Sequence, residues 1–468
     1  MPHFDPDQLA LWTAGRWTVL PTARVTGFAI DTRQIRAGEI FVALKTAARD
    51  GHDFLPTALQ AGASAAIVSS PNLKVALPQL IVEDPLAAFQ AIAREHRRKF
   101  TGPVIGVTGS AGKTSTKNLL ALLLGASAEA SPVLATEGNL NNHLGVPLTL
   151  TRLESNRHQC AVIEAGISAP GDMDVLAKMI EPDVAVTTLI AAAHIKELGS
   201  LDGVAREKSR LSTAVRPNGV AIYPAQCAAF SAFRELGGSR LEVAPCAEPT
   251  AFKHGMNAVG FALTQSAELT QLELMRAGAK TLVFTLRRVT DGMAQNAALA
   301  ITAALHLGVS ATAIQARLQA YAPAAMRGEW RRAKGCLLYL DCYNANPASM
   351  HDALLTFRAV APANEPRLYV IGGMEELGAD AARHHRELGR GLELRAEDAV
   401  VTIGDYADEL RAGAMERGLN AAQITVATTH ADLAAAVAGF RGTIFVKGSR
   451  RYQLEAALGA HLEPISSC

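Results

Sequence analysis

No apolar run in the 468-residue chain approaches the roughly 18 uninterrupted residues that a membrane-spanning helix needs, so no membrane insertion is expected. The opening stretch "MPHFDPDQLALW" lacks both the basic start and the apolar core of a secretion signal. The six cysteines (160, 227, 246, 336, 342 and 468) form no C-x-x-C pair and are scattered like reduced cytosolic thiols. Neither charge dominates: 45 Lys and Arg face 44 Asp and Glu, which gives nucleic acid or an anionic membrane no electrostatic hold. Short repeats and low-complexity tracts are also missing. What remains is a cytoplasmic, multidomain enzyme. The chain is too long for one compact core, and about three domains are expected.

What is present is a recurring alternation of apolar runs with helical stretches. Residues 1–100 carry short runs such as "GEIFVAL" and "ASAAIVSS", closed by the basic helix "AAFQAIAREHRRKF", and predict a small mixed α/β domain. A second unit, 101–322, starts at "GPVIGVTG" and continues through "CAVIEAG", "DVAVTTLI", the helix "LDGVAREKSRLSTAV" and "GVAIYPA". This order predicts a doubly wound parallel sheet, closed by the helix "NAALAITAALHLGV" with Gly308 as its stop. A third unit, 323–468, restarts the pattern at "CLLYLD", "RLYVIGG", "DAVVTIGD" and "TIFVKGS" and predicts a Rossmann-like sheet. The chemistry-bearing residues Lys113, Glu164, His194, Asp341 and Lys447 each fall where an apolar strand stops. In open parallel sheets that edge binds ligands.

Between the run 104–108 and a leucine-striped helix lies Gly109-Ser110-Ala111-Gly112-Lys113-Thr114-Ser115. Glycines allow a bend whose N–H groups point at phosphate, the helix adds its positive end, the lysine reaches outer phosphates, and the hydroxyl suits magnesium. The longer Walker form needs a glycine where Val107 stands, so this is the shorter G-x-x-G-K-T loop. An ATP-binding domain is expected.

The shorter loop, with "DTRQIRAGEIFVAL", "DGHDFLPTALQAGASAAIV", "TEGNLNNHLGVPLTL", "IEAGISAPGDM", "AHIKELGSLDGVAREKSRL", "DCYNANPASM", "IGGMEELG" and "VKGSRRYQLE" in that order, resembles the Mur ligases, ATP-dependent amide-forming enzymes of peptidoglycan synthesis. The "YNANPASM" string points, within that family, to the addition of D-alanyl-D-alanine to UDP-N-acetylmuramoyl-tripeptide through an acyl phosphate. No Asp-Asn-Pro-Arg box of the diaminopimelate-adding branch is found. The resemblance implies uridine-nucleotide binding by domain 1–100, ATP binding by 101–322, and dipeptide binding by 323–468. It also implies a monomer whose C-terminal domain swings near residue 323. The tripeptide-forming branch, folylpolyglutamate synthase, a small-molecule kinase and a nucleotide switch are the rival readings.

By resemblance, Thr114, Glu164, His194 and a carbamylated Lys208 would hold magnesium, as two ions; a helix-surface lysine is the plainer account of Lys208. Asn296 and Asp341 would meet the nucleotide. Arg327 would lie beside the transferred phosphoryl group, an interdomain ion pair being its alternative. Asp31, Thr32 and Arg33 would contact uridine diphosphate. Thr136, Asn139 and Asn142 would face the sugar or peptide, though a capped turn fits them equally. Asn344 and Asn346 would line the dipeptide pocket. Lys447, Ser449 and Arg450 would bind a carboxylate there or form an ordinary basic strand-end loop. The chain departs from the family pattern at Leu189 (usually Asn), Gly292 (often His) and Cys342 (many relatives have Asp-Asp-Ser before the Tyr, where one Asp and Cys342 remain here). His158, His254 and His306 are assigned no function.

Overall fold

The computed structural model describes residues 2–127, 131–246, 257–333 and 335–461; His254 and Cys468 lie outside the described residues. Three sheets divide the chain. The N-terminal sheet runs Arg16–Trp17, Gln79–Ile81, Ala65–Val68, Glu39–Val42, Gly27–Ala29, parallel except for its first strand. The helix Pro85–Lys99, capped by Asp84 and started by a proline, leads out of this domain. Its Arg97 is fully buried against the central domain, donating to the carbonyls of Ile180, Glu181 and Phe100 and to Asp183.

The central sheet has nine strands, and its first, Val104–Thr108, lies between Cys160–Glu164 and Val184–Thr187. Strand order reverses around it, so the chain leaving Thr108 opens into the crevice where ligands bind in such sheets. The strands buried on both faces are apolar up to the polar residues at their C-terminal ends (Thr108, Glu164, Thr187), as a parallel sheet covered by helices requires. The central sheet is parallel, as expected, from Val133–Ala135 across to Ala258–Gln265, and it carries an antiparallel addition that the sequence did not foresee. Ala258–Gln265, Leu269–Arg276 and Leu282–Arg287 form an antiparallel meander at one edge. Leu269–Arg276 and Leu282–Arg287 largely alternate buried residues with more exposed ones because one face is wet, so they lack the continuous apolar runs of the parallel strands. The alanine-rich helix Asp291–His306 then crosses back and packs its small residues on Leu119, Leu120 and Leu123 of the helix Lys113–Leu123.

The chain enters the third domain through Met326 (φ 59°) and Gly328 (φ 76°), two left-handed residues flanking Arg327. The C-terminal sheet runs Glu329–Ala333, Cys336–Asp341, Gly442–Lys447, Arg367–Gly372, Ala399–Ile403, Ile424–Ala427. Only the short edge strand Glu329–Ala333, not foreseen from the sequence, is antiparallel.

Candidate active site

A cavity of about 440 Å³ lies between the central and C-terminal domains, floored by Ser110–Ser115 and roofed by Arg327, Asp341 and Tyr343–Asn346. Two glycines make the floor possible. A Cβ on Gly109 (φ 146°) would lie 1.9 Å from the Thr188 hydroxyl, and one on Gly112 (φ 78°) 2.2 Å from Asn296 Nδ2. The loop is pinned from the next strand. The Leu189 carbonyl accepts from Ser110 N–H (2.7 Å), the Thr188 hydroxyl donates to the Ala111 carbonyl, and Ser110 Oγ donates to the Ala191 carbonyl (2.9 Å). Because backbone makes the contact at Leu189, the missing asparagine side chain does not leave the loop loose.

Lys113 Nζ folds back onto the Gly109 carbonyl (2.8 Å). Burial pushes this lysine below its ordinary value; Arg327 adds to the effect, while Glu164 and Glu376 oppose it. One helical turn later, Lys117 donates to the Thr136 carbonyl (2.6 Å) and is lowered by burial too. Glu164 is 1% exposed. Asn141 Nδ2 donates to its Oε1 (2.7 Å), while its Oε2 is buried without a partner. A lone carboxylate oxygen beside a glycine-rich strand-to-helix loop is a ready ligand for a hard cation. Among the described residues no three His, Cys, Asp or Glu form a metal cluster. The protein alone therefore supplies few ligands, which suits magnesium shared with phosphates and water.

Lys208, on the helix Leu201–Thr213, is fully buried with Nζ unpartnered. The surface-lysine reading therefore fails. Burial, with Lys113 nearby, pushes it well below the ordinary lysine value. A neutral amine is the form that takes up carbon dioxide, and the chemistry of the position fits a carbamate. His194 (φ 56°) pairs its Nδ1 with Glu376 Oε2 (2.7 Å) across the domain boundary, and this bond is the main cause that lowers Glu376. His194 and Lys208 lie beside the cavity rather than in its lining.

Arg327 stacks on the Tyr343 ring, 3.9 Å from its centroid, rather than forming an interdomain ion pair. Asn296, Asp341, Asn139, Asn344 and Asn346 all reach the cavity wall. Several residues have other partners than expected. Thr136 is buried behind Glu164, whose N–H donates to its hydroxyl (2.9 Å), so it positions the carboxylate and cannot face a sugar. Asn142 caps the helix Gly145–Leu150, and Asn346 caps Pro347–Val360 in a capping box. Lys447 is buried and pairs with Asp341 Oδ2 (2.5 Å). Ser449 Oγ accepts from Glu375 N–H (3.1 Å), and Arg450 pairs with Glu455. The carboxylate site expected at these three is thus already neutralised from within. Asp31 caps the turn Thr32–Gln34 and pairs with Arg33 (2.7 Å) on the N-terminal domain, away from the cavity. Its pKa is lowered to about 2, chiefly by that hydrogen bond. Cys342 is buried, its thiol pushed up to about 12 by burial. His158 accepts from Glu154 N–H (3.0 Å), a structural contact.

Sequence reading missed Asn141, Lys117, Glu376 and Asp352. Lys117 carried a signal, four residues after Lys113 on one helix face. Asn141 stood between two asparagines that were chosen instead.

Family models match in three consecutive segments: "Mur ligase family, catalytic domain" at 24–103, "Mur ligase middle domain" at 107–304 and "Mur ligase, glutamate ligase domain" at 326–450. The UDP-N-acetylmuramoyl-tripeptide--D-alanyl-D-alanine ligase of Escherichia coli is 33% identical over 444 residues, 92% of each chain. The chain belongs to the Mur ligase family. Crystal structure I of MurF from Acinetobacter baumannii, 28% identical, superposes on this Mur ligase with a TM-score of 0.85 and covers 99% of this chain and 100% of that one. The MurF ligase of Thermotoga maritima in complex with ADP is 26% identical, with a TM-score of 0.77 over 93% of this chain and 97% of that one.

Proposed function

We propose that this Mur ligase joins D-alanyl-D-alanine to UDP-N-acetylmuramoyl-tripeptide with ATP, giving the pentapeptide, ADP and phosphate for peptidoglycan synthesis in the cytoplasm. The observation that carries the reading is the convergence on one interdomain cavity of a phosphate loop, an unpartnered Glu164 oxygen and the C-terminal arginine and asparagines. The tripeptide carboxylate attacks the γ-phosphorus and releases ADP. The free amine of the dipeptide then attacks the acyl carbon, expels phosphate and loses a proton. The first step brings two anions together, and fixed positive charge lowers its barrier. Gly109–Thr114 present N–H groups to the phosphates, Lys113 swings from the Gly109 carbonyl to the outer phosphate, and Arg327 approaches from the other domain. Glu164, Thr114, His194 and carbamylated Lys208 are the residues that would hold magnesium, which when bound supplies further charge neutralisation. Asn139, Asn344 and Asn346 offer uncharged hydrogen bonds to the acceptor and the dipeptide, and Asp31, Thr32 and Arg33 contact the distant uridine diphosphate.

The test is a mass-spectrometric assay with the UDP-linked tripeptide, D-alanyl-D-alanine and ATP. Amide product with equimolar ADP and phosphate is expected. Product with a single amino acid but not the dipeptide would move the enzyme to another branch. A stable phosphorylated compound would make it a kinase, and slow hydrolysis indifferent to acceptors a switch.

A further inference from the structure

The helix Asp291–His306 holds Asn296 against Gly112, so the placement of this helix sets the width of the phosphate loop's mouth. Its first turn is capped twice. Thr290 Oγ accepts from Met293 N–H (3.0 Å) within the central domain. The second cap comes from the other domain. Asp352, on the helix Pro347–Val360, accepts from Gly292 N–H through Oδ1 (3.1 Å). Its Oδ2 lies 2.6 Å from where a Cβ on Gly292 would stand, so any side chain at 292 would expel it. Gly292 does not have a positive φ, so its lack of a side chain serves this approach and not a backbone need.

We infer that Asp352 is a positioning residue: an interdomain latch that ties closure of the C-terminal domain to the seating of Asn296 over the phosphate loop. A carboxylate at a helix N-terminus is favoured by the helix dipole, and here the donor it satisfies faces a shared cavity. Burial, the largest cause, raises Asp352 on balance, with Thr290 and Gly292 opposing it. The geometry of the latch stands independently of the reaction; only its kinetic consequence rests on the nucleotide-binding reading above.

Three variants of the full chain test it. Asp352→Ala removes the acceptor. Gly292→Ala evicts it while favouring the helix, since alanine is the better helix former. Asp352→Asn keeps an acceptor for Gly292 N–H. Hydrogen exchange at the first-turn amides and small-angle scattering are measured without ligand, and kcat and KM for ATP in the ligase assay. The first two variants should exchange about tenfold faster at Gly292–Met293, have a larger radius of gyration and show KM for ATP raised about tenfold with kcat little changed. Asp352→Asn should stay near the parent. Unchanged exchange and compactness in Gly292→Ala overturn the latch, even if Asp352→Ala fails to fold. Opening without a change in KM overturns the coupling to Asn296. A parent that binds no ATP overturns the nucleotide reading, while exchange and scattering still decide the latch.

Discussion

Replacing Lys208 by methionine separates what this lysine does for the fold from what it does for the reaction. In the folded chain the amine is buried without a hydrogen bond and held well below its ordinary value by burial, with Lys113 reinforcing the shift. A buried polar group left unmatched costs about 1–3 kcal/mol. An unbranched apolar side chain of similar length removes that cost, and for a domain of this size the melting temperature should rise by about 2–12 °C. The pH dependence has a definite sign. Between the depressed folded value and 10.5 the unfolded chain binds a proton at this lysine that the folded chain refuses. The parent therefore gains stability as pH rises from neutral toward 10.5, and the methionine variant does not. Thermal unfolding in carbon-dioxide-depleted buffer at several pH values should show the gap between the two proteins shrinking as pH rises. Ligase activity should fall by about a hundred- to a thousandfold, the range for losing one positioned electrostatic group. Intact mass in bicarbonate should show one added carbon dioxide in the parent and none in the variant. A variant less stable at neutral pH, or one as active as the parent, would refute the reasoning.

Glu164→Gln should leave the fold intact, because Asn141 keeps an oxygen partner, yet weaken magnesium binding in calorimetry in the presence of ATP and cut phosphate release about a hundredfold. Gly112→Ala combines a positive φ of 78° with a Cβ 2.2 Å from Asn296, and a fluorescent ATP analogue should no longer bind at the parent's affinity. Arg97→Met leaves Asp183 and three carbonyls without their shared donor. Urea unfolding should register a loss of about 3 kcal/mol. Lys447→Met leaves the half-buried Asp341 without its ion-pair partner and should destabilise the C-terminal domain by about 1–3 kcal/mol. Pairing it with Asp341→Leu should recover most of that in the same unfolding assay.

Much of the site was legible because its parts are local. Gly109–Thr114 are contiguous, and glycine spacing, lysine and hydroxyl carry their meaning wherever a strand meets a helix. Glu164, Asp341 and Lys447 stand at the ends of apolar runs, and strand ends share one edge whatever the exact sheet order. What local pattern could not supply was the partner of each polar group. Lys447 reads as a free cation in "FVKGSRR" until strand pairing sets it opposite Asp341. Thr136 reads as an exposed hydroxyl until the neighbouring strand places Glu164 N–H on it.

Chain order alone thus determined three α/β units, the glycine-rich loop between strand and helix, and the family, since hydrophobic periodicity and a short contiguous motif are properties of neighbours along the chain. Only the tertiary structure decided which charges are free to act. It left Lys208 and a Glu164 oxygen unmatched, neutralised Lys447 and Arg450, and filled the space above Gly292 with a carboxylate from another domain. Burial and pairing depend on residues tens or hundreds of positions apart, and those two quantities fix the protonation and reach of every side chain in the cavity.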